Sequence, residues 1–359
     1  MIHLRRLVMP VYLPMVLLSI GIAAPVPAFP QYLASLGASV AVVGVVISLR
    51  GVGNMISDLP GGLILGRFRL RTIVQTVLLL SSASSAVMAI VPDVATIAVM
   101  VLLMGITTSV VITAMMTYVR IAVPADSRGR ALALNGGSLR IGALLGPLAG
   151  GLLADAFGVP AALGLRAVAF FASFVVFSLS PDRGIGAPGR KAGRERDAAS
   201  APTLRGQLSS IRQAVRGRGR ALLTVGFAIL MLQLLRSSRN IVLPLWGDEL
   251  GLSATLIGSV MSLAAGLELA LFAPSGIIMD RAGRRIAAGL CIGIFSAGVL
   301  FLGFTTGSAG FVIASLLIGL GNGFGAGINM TIGTDLAPSR AVSEFLGLWR
   351  LVGDAGTAA

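Results

Sequence analysis

Apolar runs of about 20 residues follow one another along nearly the whole of this 359-residue chain, and a helix of roughly that length crosses the hydrocarbon core of a bilayer. With 55% hydrophobic and only 12% charged residues, the chain lies far outside the composition of a soluble domain. In lipid the backbone must satisfy its own hydrogen bonds. Long apolar segments do so as helices, whereas a barrel needs alternating strands of about 10 residues. The fold class that follows is an all-α polytopic membrane protein.

Hydropathy, read with the Gly, Pro and charge breaks, predicts spans near 10–32, 40–65, 72–91, 95–121, 131–154, 159–180, 221–245, 254–279, 286–306, 309–336 and 343–359. The connections alternate in charge. One set carries Arg5-Arg6, Arg67/Arg69/Arg71, Arg128/Arg130, the 181–220 segment, Arg281/Arg284/Arg285 and Arg340. The other, around Gly37, Asp93, Asp155, Asp248-Glu249 and Gly307, has no Lys or Arg. Basic loops stay on the cytoplasmic side, so the amino terminus is expected inside. Residues 181–220, rich in Arg, Gly, Ala, Ser and Pro, read as a flexible cytoplasmic linker, within which 203–216 could form a basic amphipathic helix on the membrane surface.

The net charge of +14 invites comparison with nucleic-acid binders. Those gather their basic residues on one soluble face, however, while here they are spread over short loops, so no nucleic acid is expected. Cys291 is a single cysteine inside an apolar run and reads as a small buried hydrophobe. His3 is the sole histidine, which leaves no His-based metal site or proton relay. There is no Ser/His/Asp set and no phosphate-binding Gly-rich loop. An enzyme, a nucleotide-driven pump, a cofactor and a metal are therefore not expected.

The chain also repeats itself. Gly276-Ile277-Ile278-Met279-Asp280-Arg281-Ala282-Gly283-Arg284-Arg285 lies 214 residues after Gly62-Leu63-Ile64-Leu65-Gly66-Arg67-Phe68-Arg69-Leu70-Arg71. The same offset pairs Pro30 with Pro244, Gly44 with Gly258, Val46 with Val260 and Pro60 with Pro274. A fixed-offset echo of this length marks a duplicated unit. It divides the chain into an amino-terminal six-helix half (1–180), a linker (181–220) and a carboxy-terminal half (221–359). It also argues against a cleaved signal peptide ending near Ala28, because residues 30–49 match 244–263, which have no targeting role. On this count 11 spans are present, and the counterpart of the sixth span falls beyond Ala359. A twelfth span is expected to be missing.

Two halves, a basic linker and the Gly-x-x-x-Asp-Arg-x-Gly-Arg-Arg loop at both expected places resemble the major facilitator superfamily over essentially the whole chain. The resemblance implies a cytoplasmic gate formed by Gly62 and Arg67 in the first copy and by Gly276, Asp280, Arg281, Gly283, Arg284 and Arg285 in the second. It further implies that the loop's acid holds a neighbouring helix end and stabilises the outward-facing state. The first copy has Gly66 there, so only Asp280 would keep that latch. Gly142, Gly146, Pro147, Gly150 and Gly151 in the fifth span look like the motif of the family's exporters and antiporters. Independently of any family, glycines four apart let helices approach closely, and Pro147 bends its helix. An arginine that exporters often carry early in the fourth span is absent from Leu103–Thr108.

Ionisable groups inside spans are costly unless they face water or a partner, so each is a functional candidate. Arg50, Asn54 and Asp58 recur every four residues and share one face of the second span. Glu268 lies opposite Asn54 at the 214-residue offset. A carboxyl in a low-dielectric cavity is suited to loading and releasing protons, which makes Glu268 and Asp58 the proton-coupling candidates. Arg50, Asn54, Arg140, Arg236 and Arg239 are the candidates for a substrate cavity at mid-depth. Arg166 is expected to snorkel to the outer surface, and Asp354 to pair with Arg350 one turn away.

The reading is a secondary active transporter of the bacterial inner membrane that exports a small organic molecule against protons by alternating access. Its partners would be that substrate, protons and the lipid bilayer, and the chain would be a monomer. An importer or uniporter of an anionic metabolite is the first alternative, since the arginine surplus in the spans favours an anion. A non-transporting or decayed membrane paralogue is the second.

Overall fold

The computed structural model describes residues 7–181, 219–337 and 342–358, with the side chains of 58–67, 125–126, 220–222 and 342–344 outside the description. A π-helical turn, Val8–Tyr12, leads into α1 (Leu13–Ala23) and α2 (Phe29–Ser35). Then come α3 (Val40–Arg67), α4 (Leu70–Ile90), α5 (Val94–Ala122), α6 (Ala125–Phe157) and α7 (Val159–Leu179). After the 181–220 segment follow α8 (Gly219–Glu249), α9 (Ala254–Ala270), α10 (Phe272–Arg281), α11 (Arg284–Leu302), α12 (Ser308–Phe324), α13 (Ile328–Leu336) and α14 (Val342–Ala358).

Local chemistry sets these boundaries. Asp93 accepts the backbone N–H of Thr96 at 2.8 Å and caps α5, and Ser253 accepts that of Leu256 at 3.2 Å and caps α9. Gly158 and Gly283, at φ 83° and 94°, turn the chain into α7 and α11 where a side chain would be strained. Pro25 and Pro27 lie in the break between α1 and α2, so the first predicted span is an interrupted helix. The loop expected at 122–130 shrinks to Val123-Pro124, and α6 runs 33 residues from Ala125. The span expected at 254–279 bends by 43° at Leu271, and that expected at 309–336 breaks before Gly327, which takes φ 81°.

Among the described residues seven helices are long and apolar enough to cross a membrane, eight if the bent α9–α10 pair is one span. Eleven were expected. The other three are the first, which is short and broken, and α8 and α14, which are described only in part: the side chains of 220–222 and 342–344, and residues 338–341, lie outside the description.

Small residues govern the packing. Before the 181–220 segment, α1, α4, α5, α6 and α7 enclose a core around Val11, Met15, Leu18, Leu78 and Phe170. Gly53 of α3 meets Gly105 of α5 backbone to backbone. Gly142, Gly146 and Gly150 lay one face of α6 on α1, against Val16, Ile20, Ala23 and Ala24. After the segment, Phe295, Phe311 and Ile318 fill a core between α9, α11 and α12. The contact made by Gly142 on the Val16 carbonyl recurs 214 residues later, where Gly356 of α14 sits on the Leu230 carbonyl of α8. Contacts across the 181–220 segment run chiefly through α6 with α9, α3 with α14 and α2 with α8.

Candidate functional site

Between these two groups of helices lies a cavity of about 340 Å³. Its apolar wall comes from the broken first span (Ile22, Pro25, Val26, Phe29) together with Ile47 and Val101. Its polar wall has two origins. On one side α3 contributes Arg50 and Asn54, one turn apart, and α7 contributes Arg166. On the other, α8 contributes Gln233, Arg236, Arg239 and Asn240.

The four arginines are held differently. Arg239 forms an ion pair with Glu268 of α9, and both side chains are largely buried (23% and 13% exposed). Arg236 donates to Gln233 Oε1 at 3.0 Å and to the Gly325 carbonyl at 2.9 Å, the latter at the break before α13. Its Nε is buried without a partner. Arg166 is 2% exposed and donates to Ser85 Oγ at 3.1 Å and to the Met88 sulfur at 2.8 Å. Arg50 faces the cavity half-buried and, among the described residues, makes no hydrogen bond or ion pair.

One end of the cavity is closed by direct contact. Gly151 abuts Ala254 and Thr255, Gly258 abuts the Pro147 carbonyl, and Leu148 N–H donates to Ser262 Oγ at 3.0 Å. The carboxylate of Asp155 accepts the N–H groups of Ala254 and Thr255 at 3.0 and 2.7 Å. Gln31 Nε2 donates to the Pro244 carbonyl at 2.7 Å, and Gly51 of α3 meets Thr357 and Ala358 of α14. All but the last involve the helix ends next to the Arg-free loops.

The structure therefore brings Arg50, Asn54, Arg236 and Arg239 to one cavity, with Glu268 behind Arg239. It leaves Arg140 off the wall. That guanidinium stacks 4.6 Å from the Phe272 ring centroid, a cation–π contact between α6 and α10. Arg166, expected to snorkel outward, instead turns inward onto the cavity. Its serine partner on α4 was the available signal, but a partner on another helix has no mark in local hydropathy.

The five positions of the fifth-span motif divide between two neighbours, Gly142, Gly146 and Gly150 facing α1, and Pro147 and Gly151 facing α9. Where an arginine was absent from the fourth span, Thr107 Oγ1 accepts from Ser81 Oγ at 2.8 Å and ties α5 to α4. Asp58, Gly62 and Arg67 belong to α3, but their side chains lie outside the described residues. So do His3, Arg5, Arg6, Arg340 and the 203–216 segment.

In the second loop copy, Gly283 makes the turn, and Arg284 donates to the Met279 carbonyl at 3.1 Å and pairs with Asp335 at 2.9 Å. Gly276 lies within α10, while Arg281 and Arg285 are exposed. Asp280 is exposed and makes no hydrogen bond or ion pair among the described residues. Among those residues the acid engaged at this end is Asp335.

Comparison with known proteins places the architecture. Similar solved structures include a peptide transporter of the POT type in complex with sulfate (18% identity, TM-score 0.78), covering 99% of this chain and 87% of that one. A nucleoside transporter, NupG, is 12% identical with a TM-score of 0.75, covering 97% of this chain and 88% of that one. A D-xylose–proton symporter is 17% identical with a TM-score of 0.73, covering 99% and 88% respectively. At these identities the likeness is one of fold. No curated protein matched the sequence. The Major Facilitator Superfamily family matches residues 11–359, and across that length the chain belongs to it.

Proposed function

We propose that this protein is a secondary transporter that moves a small organic molecule by alternating access and couples the movement to protons. The observation that carries this reading is the Arg239–Glu268 pair standing at the wall of a cavity between the two groups of helices. A carboxylate ion-paired with Arg239, where a substrate can compete for that arginine, links protonation to occupancy. Protonating Glu268 frees Arg239, and deprotonating it recaptures Arg239. Asp58, one turn beyond Asn54 on α3, is the second candidate to carry a proton.

The halves 1–180 and 221–359 would rock about the cavity. With the basic loops in the cytoplasm of a bacterial cell, the closed Asp155 end faces outward and the described arrangement faces inward. The likeness of Gly142, Gly146, Pro147, Gly150 and Gly151 to the motif of the family's exporters favours export, and their close packing gives α6 a tight joint between α1 and α9.

Purified protein in proteoliposomes tests the reading. Proton flux following addition of substrate is expected with wild type, and Glu268→Gln should abolish uphill movement while exchange at equal concentrations continues. Unchanged pH dependence in Glu268→Gln removes Glu268 as the coupling residue. A folded, monodisperse protein that moves no small molecule in either direction overturns the transporter itself.

A further inference from the structure

The electrostatics of the cavity carry the proposed function one step further, to the class of substrate. Four guanidinium groups line it, from Arg50, Arg166, Arg236 and Arg239, and its described lining includes no Asp or Glu. The nearby carboxylate of Glu268 is taken by Arg239. Asp354, on α14, has a partner of its own and is not among the lining residues. The hydrogen bonds of Arg166 and Arg236 go to neutral partners, a serine, a thioether, an amide and a backbone carbonyl, and Arg236 Nε has no hydrogen-bond partner among the described residues. Arg50 has none among the described residues.

Taking an ion out of water costs several kcal/mol even after relaxation, and neutral acceptors repay only part of it. Three cations facing one small cavity, with no counter-charge among its described lining, also repel one another. Such a set is destabilising for the protein alone and becomes favourable when an anion enters.

We propose that the cavity is a binding site for a small organic oxyanion, a carboxylate or phosphate ester, whose charged group is held between Arg50 and Arg166 on one side and Arg236 on the other. This rests on the transporter reading for its purpose but not for its chemistry. Planar guanidinium groups match the two-oxygen edge of a carboxylate or phosphate. Because the arginines come from α3 and α7 on one side and α8 on the other, one anion bridges both groups of helices, so binding bears on their relative position. The amides of Asn54 and Asn240, on facing walls, are placed to hold hydroxyl or amide groups on the rest of the molecule. A volume of about 340 Å³ sits at the lower end of the range of roughly 300–1,000 Å³ for small-molecule sites. It suits a metabolite rather than a lipid or a long peptide.

The test is ligand-dependent thermal stability of the full chain in detergent, at constant ionic strength. The probes are malate, glycerol phosphate, inorganic phosphate, chloride, tetraphenylphosphonium and sorbitol. At least one organic oxyanion should raise Tm in a saturable way, and Arg50→Gln should weaken its apparent affinity about tenfold or more, the loss expected of a charge-assisted hydrogen bond. Arg50→Lys should retain part of the effect. Because Arg50 makes no hydrogen bond or ion pair among the described residues, Arg50→Gln without ligand should melt no lower than wild type, which separates lost binding from lost folding. Malate and glycerol phosphate distinguish the carboxylate from the phosphate form.

Stabilisation by inorganic ions only, by the cation or the neutral sugar alcohol, by no probe at all, or equally in wild type and Arg50→Gln overturns the proposal. Transport of a cationic or neutral compound would sink it and leave the transporter standing. Oxyanion binding without any transport would do the reverse.

Discussion

The carboxylate of Asp155, in the last turn of α6, accepts the backbone N–H of Thr255 at 2.7 Å, so a residue before the 181–220 segment caps a helix that begins after it. The first N–H groups of a helix have no partner within it and carry partial positive charge, and a carboxylate satisfies both needs. Asp155 thus belongs to the closure of one cavity end. Asp155→Ala should open that end more often. The contact is exposed, so a loss of about 1 kcal/mol and a roughly fivefold shift in population are expected. The check is maleimide labelling of Asn240→Cys in a Cys291→Ser background. Its rate from the side carrying residue 155 should rise several-fold, and an unchanged rate would show the closure to be held by packing alone.

Two glycines of α6 should respond to alanine with opposite signs. A methyl group at Gly150 would meet the Ala24 carbonyl and cannot be accommodated without parting α6 from α1, whereas nothing lies within 4 Å of one at Gly136. Gly150→Ala is expected to destabilise by about 1–3 kcal/mol, the usual cost of overpacking. Gly136→Ala should gain up to about 1 kcal/mol from helix propensity. Denaturation midpoints of the two purified variants decide it, and shifts in the same direction would refute the tight α1–α6 contact.

What could be read from the sequence was what is periodic or repeated. The long apolar runs gave the helices, and the 214-residue echo extended to packing, Gly142 on Val16 answered by Gly356 on Leu230. Arg50 and Asn54 were readable as one face because four residues make about one turn. Arg166 was misplaced because its depth was judged from distance to a span end, while its position is decided by Ser85 and Met88 on another helix. Arg140 stacks on Phe272, 132 residues on and across the linker, a contact that no local pattern marks. The Arg239–Glu268 pair joins α8 to α9 and has no counterpart in the periodicity of either helix. Helix rotation, which local hydropathy does not encode, selected it.

Asp93 offers a pH-dependent signal outside the spans. The amide and hydroxyl of Thr96 hold its carboxyl below the usual carboxylate range. A depressed value means that the ionised cap stabilises the folded state above the unfolded pKa of about 3.9 and that this contribution fades as pH falls through the lower folded value. Wild type should therefore melt higher than Asp93→Ala at pH 7, and the difference should shrink below about pH 4. A constant difference down to pH 3 would assign the effect of the substitution to something other than the charged cap.

The Arg239–Glu268 pair can be separated from its surroundings by a double-mutant cycle. Each partner is mostly buried, so removing one strands the other's charge at the cavity wall. Glu268→Gln should be the costlier single change, because Arg239 would join three other guanidinium groups in the same cavity. Arg239→Gln leaves a carboxylate facing that positive field and should cost less. Combining the two restores a neutral pair, and the coupling energy should come out at about 1–3 kcal/mol by chemical denaturation of the purified proteins. Additive losses would mean that each side chain is stabilised by other groups, and the pair would then no longer serve as the point where protonation and cavity charge meet.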